Sequence, residues 1–278
     1  MSRIRNEDIC FIVASMGDRV HLLNRCINCF LDSENRESDI YLYFQGDNFG
    51  DVEHPEAFKA VVIEDQPRGI FTPRYELMKR FGRNYDYVVI IDDDLFVRPD
   101  TNYRKAAEFC SKVPYVGCVS LTNWAQSVRN EVSLVSYPEY FNIDGGLVLP
   151  KWSVETILDY FKDKEADYTE DMVWLLLWVK GYDLYKDHRS RAYHAMNSKT
   201  KSGEFTGYSV VRMTKKYKPI LSEWFYDADK PSEDDQARFP LPIFGIKSLR
   251  YAKPEAFAER RKNRLKLESE AGRIGENS

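Results

Sequence analysis

The chain alternates short, unbroken apolar runs with longer stretches in which apolar residues recur every three or four positions. The first run, ICFIVA, is too short to span a helix and has no polar residue to turn toward water. It predicts a strand buried on both faces over residues 8–15. Similar runs predict strands at 39–47, 59–65, 87–94 and 115–121. After the first strand, Val20, Leu23, Ile27 and Phe30 fall on one helical face. TPRYELMKRFG at 72–82 predicts another helix, with Pro73 in its first turn and Gly82 past its end. NYRKAAEFCSKV at 102–113 predicts a third. Strands alternating with helices give an α/β fold, a mostly parallel central sheet flanked by helices.

The regularity drops after residue 125. A strand-like piece and the pair Gly145-Gly146 precede a helix beginning about Ser153. TEDMVWLLLWVKG then reads as a buried helix. Thr169 can cap it, Glu170 and Asp171 sit in its first turn, and Gly181 ends it. From about 200 the periodicity weakens into an aromatic, proline-bearing stretch, followed by a charged helix over 254–270. The expected organisation is a catalytic domain over 1–200 and a C-terminal extension over 201–278.

Composition narrows the function classes. A net charge of −4 with both signs interspersed excludes a globally basic nucleic-acid binder, while leaving room for a local basic patch. Five cysteines, an odd and sparse set, point to reduced thiols. Cys26 and Cys29 form a lone C-x-x-C inside a helical stretch, with no second pair to complete a zinc site. No apolar run reaches the length of a membrane span, and the N-terminal run is too short for a signal peptide. A cytoplasmic protein is expected, in a host cytoplasm if the source is viral.

The most unusual local feature is YVVIIDDDLFV at 87–97, a strand that runs into Asp92, Asp93 and Asp94. Carboxylates this close repel unless a positive charge sits among them. In open α/β sheets ligands bind at the carboxyl ends of strands. The loop at residues 15–19, Asp47, Asp65 and the aspartate triplet all fall at such ends. Neither G-x-G-x-x-G nor G-x-x-x-x-G-K-[ST] occurs, which argues against a dinucleotide enzyme or a P-loop nucleotidase.

Taken in order, these segments resemble the GT-A-fold glycosyltransferases, which move sugars from nucleoside-diphosphate donors. The resemblance rests on the polar loop after the first strand, on RGIFTPR at 68–74, and on the D-x-D of Asp92 to Asp94. It continues through Gly145-Gly146, the x-E-D of Thr169, Glu170 and Asp171, and His194, over roughly residues 8–195. The first strand departs from the commonest bacterial pattern, and Tyr75 replaces an asparagine usual after the arginine.

The resemblance implies a metal-dependent transfer from a UDP-sugar to a hydroxyl acceptor, with inversion at the sugar. It implies Mn²⁺ or Mg²⁺ held by Asp92, Asp94 and His194, hard oxygens plus an imidazole that Mn²⁺ accepts. Asp171 is the candidate general base. Ser15, Arg19 and Asp65 are expected at the nucleobase and ribose. Asp92 itself binds either the metal or the ribose. Arg74, Asp93, Gly145 and Gly146 complete the donor-side set, with Arg74 either pairing a phosphate or orienting the aspartates. Trp124, Trp152 and Tyr168 are aromatic candidates for stacking on a sugar or base, and His54 and His188 carry no assignment.

Two acceptors suit the sequence. The preferred one is a hydroxymethylated pyrimidine in double-stranded DNA, because the chain resembles in kind the small, unanchored bacteriophage enzymes that glycosylate their own genomes. The basic segment 247–266 and the mixed aromatic and basic residues of 212–226 add to it. The other is a surface glycan or lipid-linked saccharide. A non-catalytic nucleotide-sugar binder is the alternative of another class.

Overall fold

A computed structural model describes residues 4–66, 68, 71–123, 131–136, 145–164, 171–194, 224–225 and 252–275, with the backbone alone at 123, 171–172, 194 and 272–275. The first apolar run forms strand β1 (Ile9–Met16). Its side chains divide between two cores. Cys10 and Ile12 enter one, while Ile9, Phe11 and Val13 enter the other. Burial on both faces is why the run carries no polar interruption.

Strands β2 (Asp39–Gln45), β3 (Ala60–Glu64) and β4 (Tyr87–Asp92) join β1 as parallel neighbours in the order β3-β2-β1-β4. Helix α1 (Val20–Leu31) carries the chain from β1 to β2, and α2 (Phe71–Arg80) carries it from β3 to β4. The chain continues through β5 (Leu95–Val97), α3 (Tyr103–Lys112), β6 (Val116–Asn123) and β7 (Val132–Val135). Next come β8 (Leu147–Pro150), α4 (Lys151–Phe161), α5 (Asp171–Val179), β9 (Asp183–His194) and α6 (Pro254–Gly275).

The sheet extends from β4 as β8-β6-β9-β5, with β7 also on β9. Strand β8 is antiparallel to both β4 and β6, β9 is parallel to β6, and β5 and β7 are antiparallel to β9. Among the described residues most strands therefore run one way, and the fold is α/β with a mostly parallel sheet. Helices α1 and α3 cover one face, and α2, α4, α5 and the start of α6 cover the other.

This order sets the site. The chain builds β2 and β3 on one side of β1, then crosses to place β4 on the other side. A crevice opens outside the carboxyl ends of strands at such a reversal. The loop after β1 and the turn after β4 meet there.

Several local expectations change. Strand β4 ends at Asp92, so Asp93 and Asp94 lie in the tight turn into β5 rather than in the strand. Residues 183–194 form a long strand that apolar periodicity does not announce. Strand β9 is polar because it bulges. Leu121 pairs with Asp187 but Thr122 pairs with Arg191, and the buried Asp187 takes a two-pronged grip from Arg189 at 2.7 and 2.9 Å. Thr169 and Glu170 lie outside the described residues, and α5 is described from Asp171.

Helix α6 is bound by its arginines. Arg260 Nη2 and Arg264 Nη2 hold the two oxygens of the buried Asp183 at 2.6 and 2.8 Å. The same helix supplies donors to the last carbonyls of α5 and the turn after it. Arg260 Nη1 reaches Trp178 O at 2.7 Å, Asn263 Nδ2 reaches Val179 O at 2.9 Å, and Arg264 Nη1 reaches Gly181 O at 2.8 Å. Carbonyls at a helix end have no partner within the helix, so these contacts satisfy them. A side chain at Gly181 would come within 2.8 Å of the Arg264 backbone nitrogen, and its φ of +92° also favours glycine.

Removing the shared carboxylate leaves two guanidinium groups facing each other. Asp183→Ala is expected to lower stability by ~3 kcal/mol in urea unfolding. A loss under ~0.5 kcal/mol would mean that apolar packing alone holds α6 in place.

Candidate active site

Ala14 pairs with Asp92 across β1 and β4, so the residues after β1 lie directly beside the aspartate triplet. Ser15 Oγ donates to Asp93 Oδ2 at 2.8 Å. Arg19 closes the short turn between β1 and α1, and its Nη2 lies 2.9 Å from Asp93 Oδ1 and 2.7 Å from Asp94 Oδ2. Arg74, buried on α2, donates to Asp92 Oδ1 from the other side. Cys26 Sγ on α1 reaches the Asp92 carbonyl at 3.6 Å. Three carboxylates are thus clamped between two guanidinium groups.

Asp93 is the most enclosed of the three, at 3% exposure. Burial pushes its carboxyl up to about 7. Arg19 opposes that rise, Asp94 adds to it, the Ser15 hydrogen bond opposes it, and Asp92 adds to it. For Arg19, burial acts to lower the pKa, but Asp93, Asp94 and Asp92 outweigh it and hold the guanidinium above its ordinary value. Shielding from water strengthens each of these charge interactions.

The glycine pair supplies the adjoining wall. A Cβ at Gly145 would sit 2.8 Å from Leu121 O and 2.9 Å from Thr122 O, so the backbone packs where no side chain fits. Gly146 has φ +94°. The buried Tyr103 donates its hydroxyl hydrogen to Gly145 O at 2.8 Å and fixes this approach.

His194 is the last residue of β9. Its backbone pairs with Leu95, the residue after Asp94. Asp171 opens α5. The side chains of both lie outside the described residues.

Other expected residues lie apart from the clamp. Asp65 and Asp47 are exposed in the turns after β3 and β2. Trp152 is turned away from the site. Its indole donates to Val116 O at 2.8 Å, and Pro150 pairs with Tyr87 at the start of β4, the opposite end of that strand from Asp92. Trp124, Tyr168 and Gly69 lie outside the described residues. His54 pairs with Glu56 on the surface, and His188 sits between the hydroxyls of Thr122 and Ser133, 2.9 Å from each.

The donor chemistry suits a hard divalent cation, since Asp92 and Asp94 offer carboxylate oxygens. Asp93 does not fit as a ligand, because Ser15 and Arg19 engage its two oxygens. Among the described residues no three Asp, Glu, His or Cys side chains are grouped to hold an ion, and the cation already present between Asp93 and Asp94 is Arg19.

Sequence reasoning missed Cys26 and Tyr103 as parts of the site and placed Arg19 on the nucleobase rather than on the triplet. The order of β1 and β4 was the signal for Arg19, because neighbouring strands bring their following loops together.

No family model and no curated protein matches the chain. Solved structures do share its fold, that of the GT-A glycosyltransferases. The S. aureus TarS 1-349 structure superposes with a TM-score of 0.52 at 11% identity, covering 67% of this chain and 60% of that one. The mannosyltransferase PcManGT from Pyrobaculum calidifontis, in complex with GDP-Man and Mn²⁺, gives 0.52 at 15% identity, covering 74% and 59%. GalNAc-T7 with UDP, GalNAc and Mn²⁺ gives 0.55 at 10% identity, covering 78% and 48%. The chain thus spans between 48% and 60% of the length of these three.

The raised Asp93 makes a pH prediction. Above the unfolded carboxyl value the folded state holds the extra proton, so this group's contribution to stability falls as pH rises from about 4 to about 7. Without added divalent ions, Asp93→Asn is expected to gain on the parent over that window by up to ~1.4 kcal/mol per pH unit, measured by urea unfolding. A constant difference across the window would show that Asp93 is ionised throughout.

Proposed function

We propose that this chain is a glycosyltransferase that moves a sugar from a nucleoside-diphosphate donor, a UDP-sugar, to a hydroxyl acceptor with inversion. The observation that carries this reading is the clamped aspartate triplet at the topological reversal of a GT-A sheet. That place is where an open α/β sheet binds its ligand.

In this reading Asp92, Asp94 and His194 hold Mn²⁺ or Mg²⁺. The ion supplies Lewis-acid stabilisation to the diphosphate as it leaves. The chain's own residues do the rest. Arg74 fixes the Asp92 carboxylate from the buried side. Ser15 and Arg19 anchor Asp93 and keep the turn in place. The wall of Gly145 and Gly146 lets the donor approach backbone closely, and Asp65 meets the nucleobase end. Asp171, at the start of α5, takes the proton from the acceptor hydroxyl as that oxygen attacks the sugar.

The acceptor reading is a hydroxymethylated base in double-stranded DNA, or a surface or lipid-linked saccharide. The charge of α6 adds little to the first. Arg260 and Arg264 are committed to Asp183, while Lys262 and Lys266 lie beside Glu259 and Glu270. Nucleic-acid binding then rests on the segment 212–226, of which only Trp224 and Phe225 are described. Among the described residues no helix is long and apolar enough to cross a membrane.

A thermal-shift series tests the donor. One UDP-sugar with Mn²⁺ is expected to raise the melting temperature, because a ligand that binds only the folded state stabilises it by mass action. Asp94→Ala should lose the metal-dependent part of the shift, and full transfer activity in that variant would sink the metal assignment. Asp171→Asn should keep the shift while slowing transfer by about 10²-fold or more. A collapse of donor affinity in Asp171→Asn would instead make Asp171 structural. Binding of donor without transfer to DNA or saccharide acceptors would favour a non-catalytic binder.

A further inference from the structure

The mode of contact at Arg19 differs from an ordinary arginine–carboxylate pair. Such pairs are commonly bidentate, with two nitrogens facing the two oxygens of one carboxylate. Here Nη2 reaches oxygens of two different carboxylates, at 2.9 Å from Asp93 and 2.7 Å from Asp94. One of the two, Asp94, is also a carboxylate proposed to hold the divalent ion, so the guanidinium already engages an oxygen of that ligand. Arg74 holds Asp92 separately, so the contact with Asp93 and Asp94 belongs to Arg19.

We propose that Arg19 is a built-in counter-cation of the aspartate triplet. It neutralises Asp94 when no ion is bound, and ion binding displaces it from that carboxylate. This proposal rests on the metal reading of the same carboxylates.

Three features support an exchange rather than a permanent brace. The first is the position of Arg19 on the chain. It ends the short turn Gly17–Arg19 and carries a long, rotatable side chain, so the guanidinium can withdraw with β1 and α1 unmoved. The second is the inequality of its two partners. Asp93 is also held by Ser15 and is more deeply enclosed, so Asp94 is the more accessible of the two to an ion. The third is charge. Two like cations cannot share Asp94 in a site shielded from water, so a bound ion and the guanidinium compete directly. The competition makes ion binding weak in the free protein. A nucleoside diphosphate relieves it, because its phosphate oxygens accept the released guanidinium.

The test measures Mn²⁺ binding to the full chain without nucleotide, by the electron paramagnetic resonance signal of free Mn²⁺. Arg19→Gln is expected to bind Mn²⁺ about tenfold more tightly than the parent or better. Arg19→Lys, which keeps the charge, should stay close to the parent. Asp94→Asn placed in the Arg19→Gln protein should abolish the gain. Stability gives a second readout that a purely structural arginine would not produce. Arg19→Gln should melt lower than the parent without ions, and Mn²⁺ should restore more of its melting temperature than it adds to the parent. Equal or weaker Mn²⁺ binding by Arg19→Gln would overturn the proposal. Parent binding that Asp94→Asn abolishes would, in that case, leave the metal site standing. Absence of Mn²⁺ binding in both proteins would overturn the proposal and the metal assignment together, and a UDP shift without metal would then be the separate test of donor binding.

Discussion

Pairing between β1 and β4 is the interaction on which the site depends. It aligns Ala14 with Asp92 and so fixes the distance between the loop that carries Ser15 and Arg19 and the turn that carries three aspartates. Three successive carboxylates at the end of a buried strand would repel one another in the absence of countercharge. The fold answers with one arginine from each side. Arg19 comes from the segment after β1, and Arg74 comes from the helix that leads into β4. Neither arginine is near the triplet in the chain. Each arrives because the parallel order β2-β1-β4 requires crossover helices, and those crossovers begin at this rim.

The adjoining backbone at Gly145 and Gly146 is set by steric constraint rather than by charge. At Gly145 any side chain would meet the carbonyls of Leu121 and Thr122, and Tyr103 secures the Gly145 carbonyl from beneath. In the proposed glycosyltransferase reading, the charged turn and this close-packed backbone flank the place of the anionic donor. Polar groups fixed in advance by folding need not reorganise when such a ligand binds.

Much of this was legible in the sequence, and the reasons for the rest are physical. Apolar runs such as residues 9–14 announce strands covered on both faces, and that pattern yields the fold class. The triplet after β4 stands out because it violates the ordinary spacing of like charges. Strand β9 escapes detection, since Asp187 and Ser190 are buried through a bulge and an ion pair rather than through apolar contact. Arg19 illustrates a second limit. Its residue type marks it as functional, but its partner depends on strand order, and strand order is a property of the sheet rather than of any local window. Trp152 is the converse case. Near the glycine pair in sequence, it lies one strand length away in space, because β8 intervenes.

Strand β9 also ties the C-terminal helix to the site. It begins at Asp183, where Arg260 and Arg264 of α6 grip the carboxylate, and it ends at His194, paired with the residue that follows Asp94. Between those ends it is paired on β6 and takes β7 and β5 in turn. A polar strand of this kind gains little from burying its own side chains, so its position is set by its partners. Those partners include a helix from the far end of the chain. The arginines of α6 therefore serve the architecture that presents His194 at the rim. That role accounts for basic residues in α6 without any appeal to a polyanion, because each of the two arginines that leads the pattern has a buried carboxylate to meet.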